Sequence, residues 1–402
     1  MSLLEEHGKP KKEVYLDGEN SGFVPDEVIE AILPYFNKVG YGHPSITHRP
    51  GWEAYQVMME HAKILGDSIG AEPQRLVFTS GGTEANNLAI MGAALANRDK
   101  GKKLVTSSIE HLSIIHPAKK LEKLGYELVE IPVDSEGFFD LEALAEAVDK
   151  ETVLVSLMAV NHEIGTIEPV KEAVKIVKEI NPEVIFHTDA CDAYGKVPLN
   201  VKDLGVDLMT LSGHKIHAPR GIGALYVKEG IRLEPVLHGQ LSVNELRPGV
   251  ENIPLIVGFA KASELAFKDF EANVSKLRRL RDELLEGILE KVKHALLNGP
   301  KGDLRAPDNV NISFLYCEGE AITVELSLHG VYVSSGSACT SRILEPSHVL
   351  KAIGRRHDEA HGSILMKVTR YHTEEDIEYV LEVLPGSIKR LVELSPVKPG
   401  GE

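Results

Sequence analysis

Lys215 ends the polar run Ser212-Gly213-His214-Lys215, and a Gly-rich return, Arg220-Gly221-Ile222-Gly223, leads from it into the apolar stretch Ala224-Leu225-Tyr226-Val227. An amine placed this way becomes a nucleophile toward carbonyl carbon when burial or a nearby cation lowers its pKa. A lone loop lysine is more often just solvated, so its surroundings must decide. A second candidate lies upstream, where the apolar run Leu76-Val77-Phe78-Thr79 meets Ser80-Gly81-Gly82-Thr83-Glu84 and a helical pattern follows from Ala85 to Ala96. A strand, a Gly-rich turn and a helix start make an anion site, because free backbone N–H groups and the helix dipole point at the ligand. Thr83 adds a hydroxyl. The motif is not a nucleotide phosphate loop, since no lysine follows the glycines, and an ordinary helix cap is the plainer alternative.

The elements that must position these groups alternate along the chain. Strand patterns at 103–106, 127–131, 152–158, 184–187 and 208–211 are separated by helical patterns at 113–124, 141–148 and 170–180. Buried strands alternating with helices predict an α/β fold: a large domain with a mostly parallel, seven-stranded-type sheet covered by helices. In such sheets ligands sit beyond the carboxyl ends of the strands. Asn161-His162-Glu163-Ile164-Gly165, Asp189 and the Lys215 turn all fall at such ends. From about Ile256 the texture changes to a long charged helical stretch, 259–294, then to mixed strand and helix patterns. This predicts a smaller α+β domain, with a large domain over 15–255 and a small one over 256–402 joined by 1–14.

With 402 residues the chain fits about two domains. Its net charge of −16 argues against a nucleic-acid binder. Cys191, Cys317 and Cys339 are too few for a disulfide framework or a zinc cluster. No apolar run reaches the ~18 residues of a membrane span, and the charged segment 1–13 lacks the apolar core of a signal peptide. A cytoplasmic location without membrane or nucleic-acid partners is expected.

Five motifs, in order and spacing, resemble the cysteine desulfurases of the class V aminotransferase group, fold-type I enzymes that use pyridoxal 5'-phosphate (PLP). They are Phe78-Thr79-Ser80-Gly81-Gly82-Thr83-Glu84-Ala85-Asn86-Asn87, Asn161-His162-Glu163-Ile164-Gly165, His187-Thr188-Asp189-Ala190, Ser212-Gly213-His214-Lys215 and Ser335-Gly336-Ser337-Ala338-Cys339-Thr340-Ser341. The resemblance runs from about Tyr15 to about Leu394. It implies that Lys215 holds PLP as a Schiff base and shuttles protons at the substrate's α-carbon. Asp189 would pair with the pyridine nitrogen and keep the ring an electron acceptor. Thr83, Ser212 and His214, with the Gly82 backbone, would hold the phosphate. His111 would stack on the ring and move protons, and Asn161 would lie near the phenolic oxygen and the substrate carboxylate. Cys339 would be the nucleophile, taking sulfur from L-cysteine as a persulfide and leaving alanine. The stretch from Cys339 to His348 matches the family's longer-loop branch, which carries sulfur outward to an iron–sulfur scaffold, a tRNA-thiolation protein or another acceptor. A homodimer is implied.

Three positions depart from the family pattern. Asp192 stands where the family has a Gln that donates to the phenolic oxygen. Val250 replaces the Thr that reaches a phosphate across the dimer, with Ser242 or Asn252 as candidate substitutes. Leu365 takes the place of the arginine that clamps the substrate carboxylate, and Lys367 shares its strand face as a candidate replacement. These departures keep two other readings open: another PLP reaction on the same scaffold (selenocysteine lyase, cysteine sulfinate desulfinase or aminotransferase), and a degenerate sulfur carrier. Asp358-Glu359-Ala360-His361 copies a helicase signature without the phosphate loop that chemistry needs, and His357 with His361 has a ligand spacing but no third ligand. No metal site is expected.

Overall fold

The computed structural model describes residues 10–240, 242–335 and 346–396. The expected nucleophile Cys339 and the residues around it lie outside that set. The chain opens with β1 (Val14–Tyr15), α1 (Asp26–Ile32), α2 (Arg49–Ile69), β2 (Leu76–Thr79) and α3 (residues 82–96, with a π-helical turn at Leu88–Gly92). It continues through β3 (Lys103–Ser107), α4 (Leu112–Glu122), β4 (Glu127–Ile131), α5 (Leu141–Ala147), β5 (Thr152–Ser156), α6 (Val170–Ile180), β6 (Ile185–Asp189), β7 (Leu208–Ser212) and β8 (Gly223–Val227).

These strands form one seven-stranded sheet in the order β2-β8-β7-β6-β5-β3-β4. Every residue of β3, β5, β6 and β7 is buried, as expected for strands with helices on both faces. Pairing is parallel from β4 through β7, and β8 runs antiparallel to both neighbours. The reversal follows from the connection. Only the Lys215 turn joins β7 to β8, and a parallel return needs a crossover of a dozen or more residues. The expected mostly parallel sheet is therefore present, with one strand turned by the segment that carries the lysine.

After β8 comes α7 (Ile253–Phe267), and the second unit follows with α8 (Phe270–Lys291), β9 (Ala295–Leu297), β10 (Asn309–Phe314), α9 (Gly319–Leu328), β11 (Val331–Tyr332), β12 (Ser334–Ser335), α10 (His348–Ala352), β13 (Ser363–Lys367) and α11 (Glu374–Leu394). Its antiparallel sheet runs β12-β13-β10-β9, and β1 pairs in parallel with β11. The continuous helix expected over 259–294 is in fact two. Asp269 adopts a left-handed φ of 54°, which breaks the ladder between α7 and α8. The apolar face of α7 belongs to the first core (Ile256, Phe259, Ala260), whereas α8 belongs to the second (Leu280, Leu284, Ile288). We therefore place the division between cores at that break and not at 255/256, which falls inside the first turn of α7.

Alternation on β13 decides what reaches the large unit. Ile364 and Met366 pack into the second core. Ser363, Leu365 and Lys367 consequently face the other way.

Candidate active site

A cavity of about 320 Å3 opens at the carboxyl ends of β2, β5, β6 and β7, the place where open α/β sheets hold ligands. Gly82, Thr83, His111, Asp189, Asp192, Ser212, His214 and Lys215 all line it. Thus eight of the residues named from the sequence, spread over 134 positions (82 to 215, counting both ends), converge on one space.

Its phosphate end is built from the β2–α3 turn. Gly81 sits at φ 149°, ψ −178°, a conformation open essentially to glycine alone. Gly82 has a different reason to be glycine: a Cβ there would come within 2.7 Å of Cys191 Sγ. The turn leaves the first N–H groups of α3 facing the cavity, where an anion is favoured. Across from them, Ser212 Oγ and His214 Nδ1 are 3.0 Å apart. Burial, followed by the adjacent Lys215, pulls His214 down to about 4, so it is a neutral donor or acceptor at pH 7.

Asp189 lies at the end of β6 and is almost fully buried. Asn86 Nδ2 donates to its Oδ2 at 2.7 Å, and the Cys191 N–H to its Oδ1 at 2.9 Å. Among the described residues no cation pairs with it. The Asn86 amide also donates to Ser113 Oγ at 2.8 Å. The Ser113 hydroxyl is left to donate to His111 Nδ1, 2.7 Å away, and the Ser113 N–H points at the same nitrogen. With Nδ1 accepting twice, the neutral His111 ring carries its proton on Nε2. A single polar chain thus runs from Asp189 through Asn86 and Ser113 to His111.

Asn161 is in a different position from the expected one. Its Oδ1 accepts from the Glu163 and Ile164 N–H groups, and its Nδ2 donates to the Ile109 carbonyl. That amide is consumed in bracing its own loop, and the cavity wall there is His162, packed edge-on to His111 at 5.1 Å. Burial holds His162 well below the ordinary histidine range, so it too is neutral.

Lys215 stands in a 3-10 turn, Gly213–Ile216. Its Nζ lies 3.1 Å from Asp192 Oδ2 and 2.5 Å from Glu19 Oε1. Asp192 is therefore an ionised acid matched by lysines. Burial alone would raise its pKa, but Lys215, Lys367 and Lys196 hold it well below the carboxylate range. Lys367 reaches Asp192 Oδ1 at 2.9 Å and does not line the cavity, so the candidate carboxylate clamp is engaged elsewhere. Leu365 is buried between Ser334 and Asn311. Of the two candidate phosphate hydroxyl substitutes, Ser242 donates to Glu251 at 2.7 Å and Asn252 caps α7; Val250 is exposed.

The flanks of the Cys339 segment touch the same region. Ser334 Oγ accepts from Asn20, a cavity residue, at 2.9 Å. Beyond the segment, His348 Nε2 donates to the carbonyl of Glu110, next to His111, and Ser347 Oγ donates to Glu163 at 2.6 Å. Sequence reasoning missed Glu19, Asn86 as the orienter of Asp189, and Ser113. Only Asn86 had a signal, its place in the first motif. His357 and His361 have their Nε2 atoms 3.3 Å apart on an exposed helix, and no group of three or more metal-type ligands exists among the described residues.

Comparison with known proteins agrees with this geometry. The aminotransferase class-V family model matches residues 14–380. A cysteine desulfurase IscS of Dictyoglomus turgidum is 45% identical over 388 residues, covering 96% of this chain and 98% of that protein. The cysteine desulfurase IscS 1 of Archaeoglobus fulgidus is 44% identical over 383 residues, covering 95% and 99%. Among solved structures, a NifS-like protein superposes with a TM-score of 0.88 at 32% identity, covering 94% of this chain and all of that one.

Proposed function

This chain belongs to the class-V aminotransferase family, and from that premise we propose how its residues divide the work of desulfuration. It is a PLP-dependent cysteine desulfurase, converting L-cysteine to L-alanine and passing sulfur on as a persulfide. The residues present fit the cofactor. Asp189 is a buried, doubly oriented carboxylate without a cation partner among the described residues, which suits a protonated ring nitrogen. The α3 N-terminus, Thr83, Ser212 and neutral His214 suit a phosphate. When bound, PLP supplies the electron sink that makes the substrate's α-carbon acidic.

The chain's own groups do the rest. Lys215 is the amine that takes and returns protons at that carbon. His111, its proton fixed on Nε2, faces the cavity as a second proton carrier. The Cys339 thiolate bonds to the substrate sulfur as the Cβ–S bond breaks, and protonation of carbon completes alanine. The flanks of its segment, held by Asn20–Ser334 and His348–Glu110, support its reach to the cavity. The observation that carries this reading is the convergence of Lys215 and Asp189 on one cavity with an anion-binding helix start.

We place the acceptor among proteins that take up persulfide sulfur, an iron–sulfur scaffold foremost. A homodimer is supported by an exposed apolar surface of Ile29, Leu33, Phe36, Tyr41, Trp52 and Tyr55, on or beside α1 and α2, where both helices pack on α7. Free, buried Cys191 and Cys317 suit a reducing, cytoplasmic setting. No helix among the described residues is long and apolar enough to cross a membrane.

The test is an absorbance spectrum of the protein with PLP, before and after L-cysteine, with alanine and sulfide assayed. A cofactor band that shifts, with alanine released, is expected. A band without alanine would redirect the substrate assignment to the Leu365 departure, and no band would overturn the roles of Lys215 and Asp189.

A further inference from the structure

Behind the cavity lies a set of charges of which the reaction above uses Lys215 alone. Lys215 Nζ touches Glu19 Oε1 (2.5 Å) and Asp192 Oδ2 (3.1 Å). Lys367 Nζ touches Asp192 Oδ1 (2.9 Å) and Glu19 Oε2 (3.5 Å). Each acid meets both lysines, so the four side chains close a ring. They come from four separate segments: the turn after β1, the loop after β6, the turn after β7, and β13. No side chain of the ring is more than 13% exposed. Lys196 extends it, 3.8 Å from Asp192 and 2.6 Å from Asp308.

We propose that Glu19 is a positioning residue which, in this ring with Asp192 and Lys367, holds Lys215 as an ammonium and so sets how readily the lysine is released to an aldehyde ligand. The proposal rests on the assignment of Lys215 as the cofactor-linked lysine.

An ammonium has no lone pair. Lys215 must first pass a proton to Glu19, Asp192 or water. Its nitrogen then bonds to the carbonyl carbon, and the carbonyl oxygen leaves as water with the two remaining N–H protons, giving a neutral C=N. Two carboxylates in contact oppose the first step, since an opposite charge at this range favours the charged form. Burial by itself would lower the lysine's pKa, but Asp192 and Glu19 more than offset it and hold it above the usual lysine range.

The other groups facing Lys215 do little to change that balance. His162 and His214 are neutral, Cys191 is held as a thiol by burial, and Asp17 acts only at longer range, its own pKa raised by burial. Lys367 pushes the other way by competing for the same two acids, and Lys196 does so more weakly, at Asp192 alone.

That competition gives the proposal a sign. Glu19→Gln keeps the shape and removes one carboxylate. Lys367→Met removes the stronger competitor for both acids. The experiment adds PLP to the full-length chain freed of cofactor, between pH 6 and 10. It follows growth of the absorbance band and traps the product on Lys215 with borohydride for peptide mass analysis.

Glu19→Gln should capture PLP about tenfold faster at pH 7.5, with its pH midpoint about one unit lower. Lys367→Met should be about tenfold slower, with its midpoint higher. A general loosening of the fold would move both variants the same way, so shifts in one direction, or no shift, overturn the proposal. A wild-type adduct on Lys215 with no Glu19 effect overturns this proposal alone. No wild-type adduct at any pH overturns the Lys215 assignment as well.

Discussion

The two walls of the cavity are built on opposite principles. The wall from α3, Asp189 and His111 is made of neutral donors and acceptors around Asp189, which pairs with no cation among the described residues; the other acid on it, Glu84, is paired with Arg247. The wall behind Lys215 is an ionic lattice of lysines and carboxylates that crosses from the large unit to β13. A neutral, oriented wall costs little to bury and leaves its one unpaired charge available to a ligand. An ionic wall is costly to desolvate, and its charges hold only while every partner is present. The first should answer mutation through chemistry, the second through stability and pH.

Two substitutions press hardest on that contrast. Lys215→Ala removes the amine held by the ionic wall and used by the chemistry, and should have the largest effect. Loss of the proton carrier should lower turnover with cysteine by at least ~10³-fold, and borohydride should no longer fix PLP to the chain. Residual turnover above a few per cent would show that another amine serves. Asp192→Asn should act on the ionic wall alone. It leaves Lys215, Lys196 and Lys367 with too few carboxylates, and breaking a buried pair on one side costs about 3–5 kcal/mol. Denaturant unfolding should show that loss, and adding Lys367→Met should recover part of it, which is the coupling a double-mutant cycle detects. Strictly additive losses would mean that the lattice is only a set of close approaches.

Legibility in the sequence followed the same division. The neutral wall could be read where its parts are local: a strand, a Gly-rich turn and a helix start lie within a dozen residues, and Asp189 ends a recognisable strand, whereas the Asn86–Asp189 link, across 103 positions, and the role of Ser113 stayed hidden. The ionic wall could not. Asp192 and Lys367 were visible as departures, but their pairing spans 175 positions, and Glu19 lies 196 positions from Lys215 in a turn with no distinctive pattern. Asn161 failed for another reason. Its residue type suited either a ligand contact or a turn brace, and only the fold showed its amide spent on backbone groups. The break at Asp269 was hidden because the helical pattern is continuous on both sides of it.

Ser113→Ala tests the neutral wall from within. The hydroxyl joins Asn86 to His111, and without it the buried Asn86 amide and the part-buried His111 Nδ1 each lose one of their two hydrogen bonds. At about 1–2 kcal/mol this should lower turnover roughly tenfold, while melting temperature and PLP uptake stay near wild type. Unchanged turnover would mean that the His111 tautomer is fixed by the Ser113 N–H alone.

The smallest effect on turnover should come from a group in neither wall, at the seam between the two units. Glu163 is buried; burial raises its carboxyl to about 8, and among the described residues Ser347 is the one side-chain donor and Oε1 has no partner. Its folded pKa lies above the ordinary 4.5, so the native state holds a proton that the unfolded chain has released. By linkage its contribution is whole below about pH 4.5, shrinks as pH rises, and is gone above about 8. Glu163→Gln keeps the neutral shape at every pH, and should flatten the fall of stability across that window by at most ~1.4 kcal/mol per pH unit. Some slope should remain, because burial raises Glu110 to about 8 as well and lifts Glu168 well above its ordinary range. Melting curves taken from pH 5 to 8 decide it: converging wild-type and variant curves toward low pH support a protonated seam, and parallel curves would show that Glu163 is ionised in the folded chain.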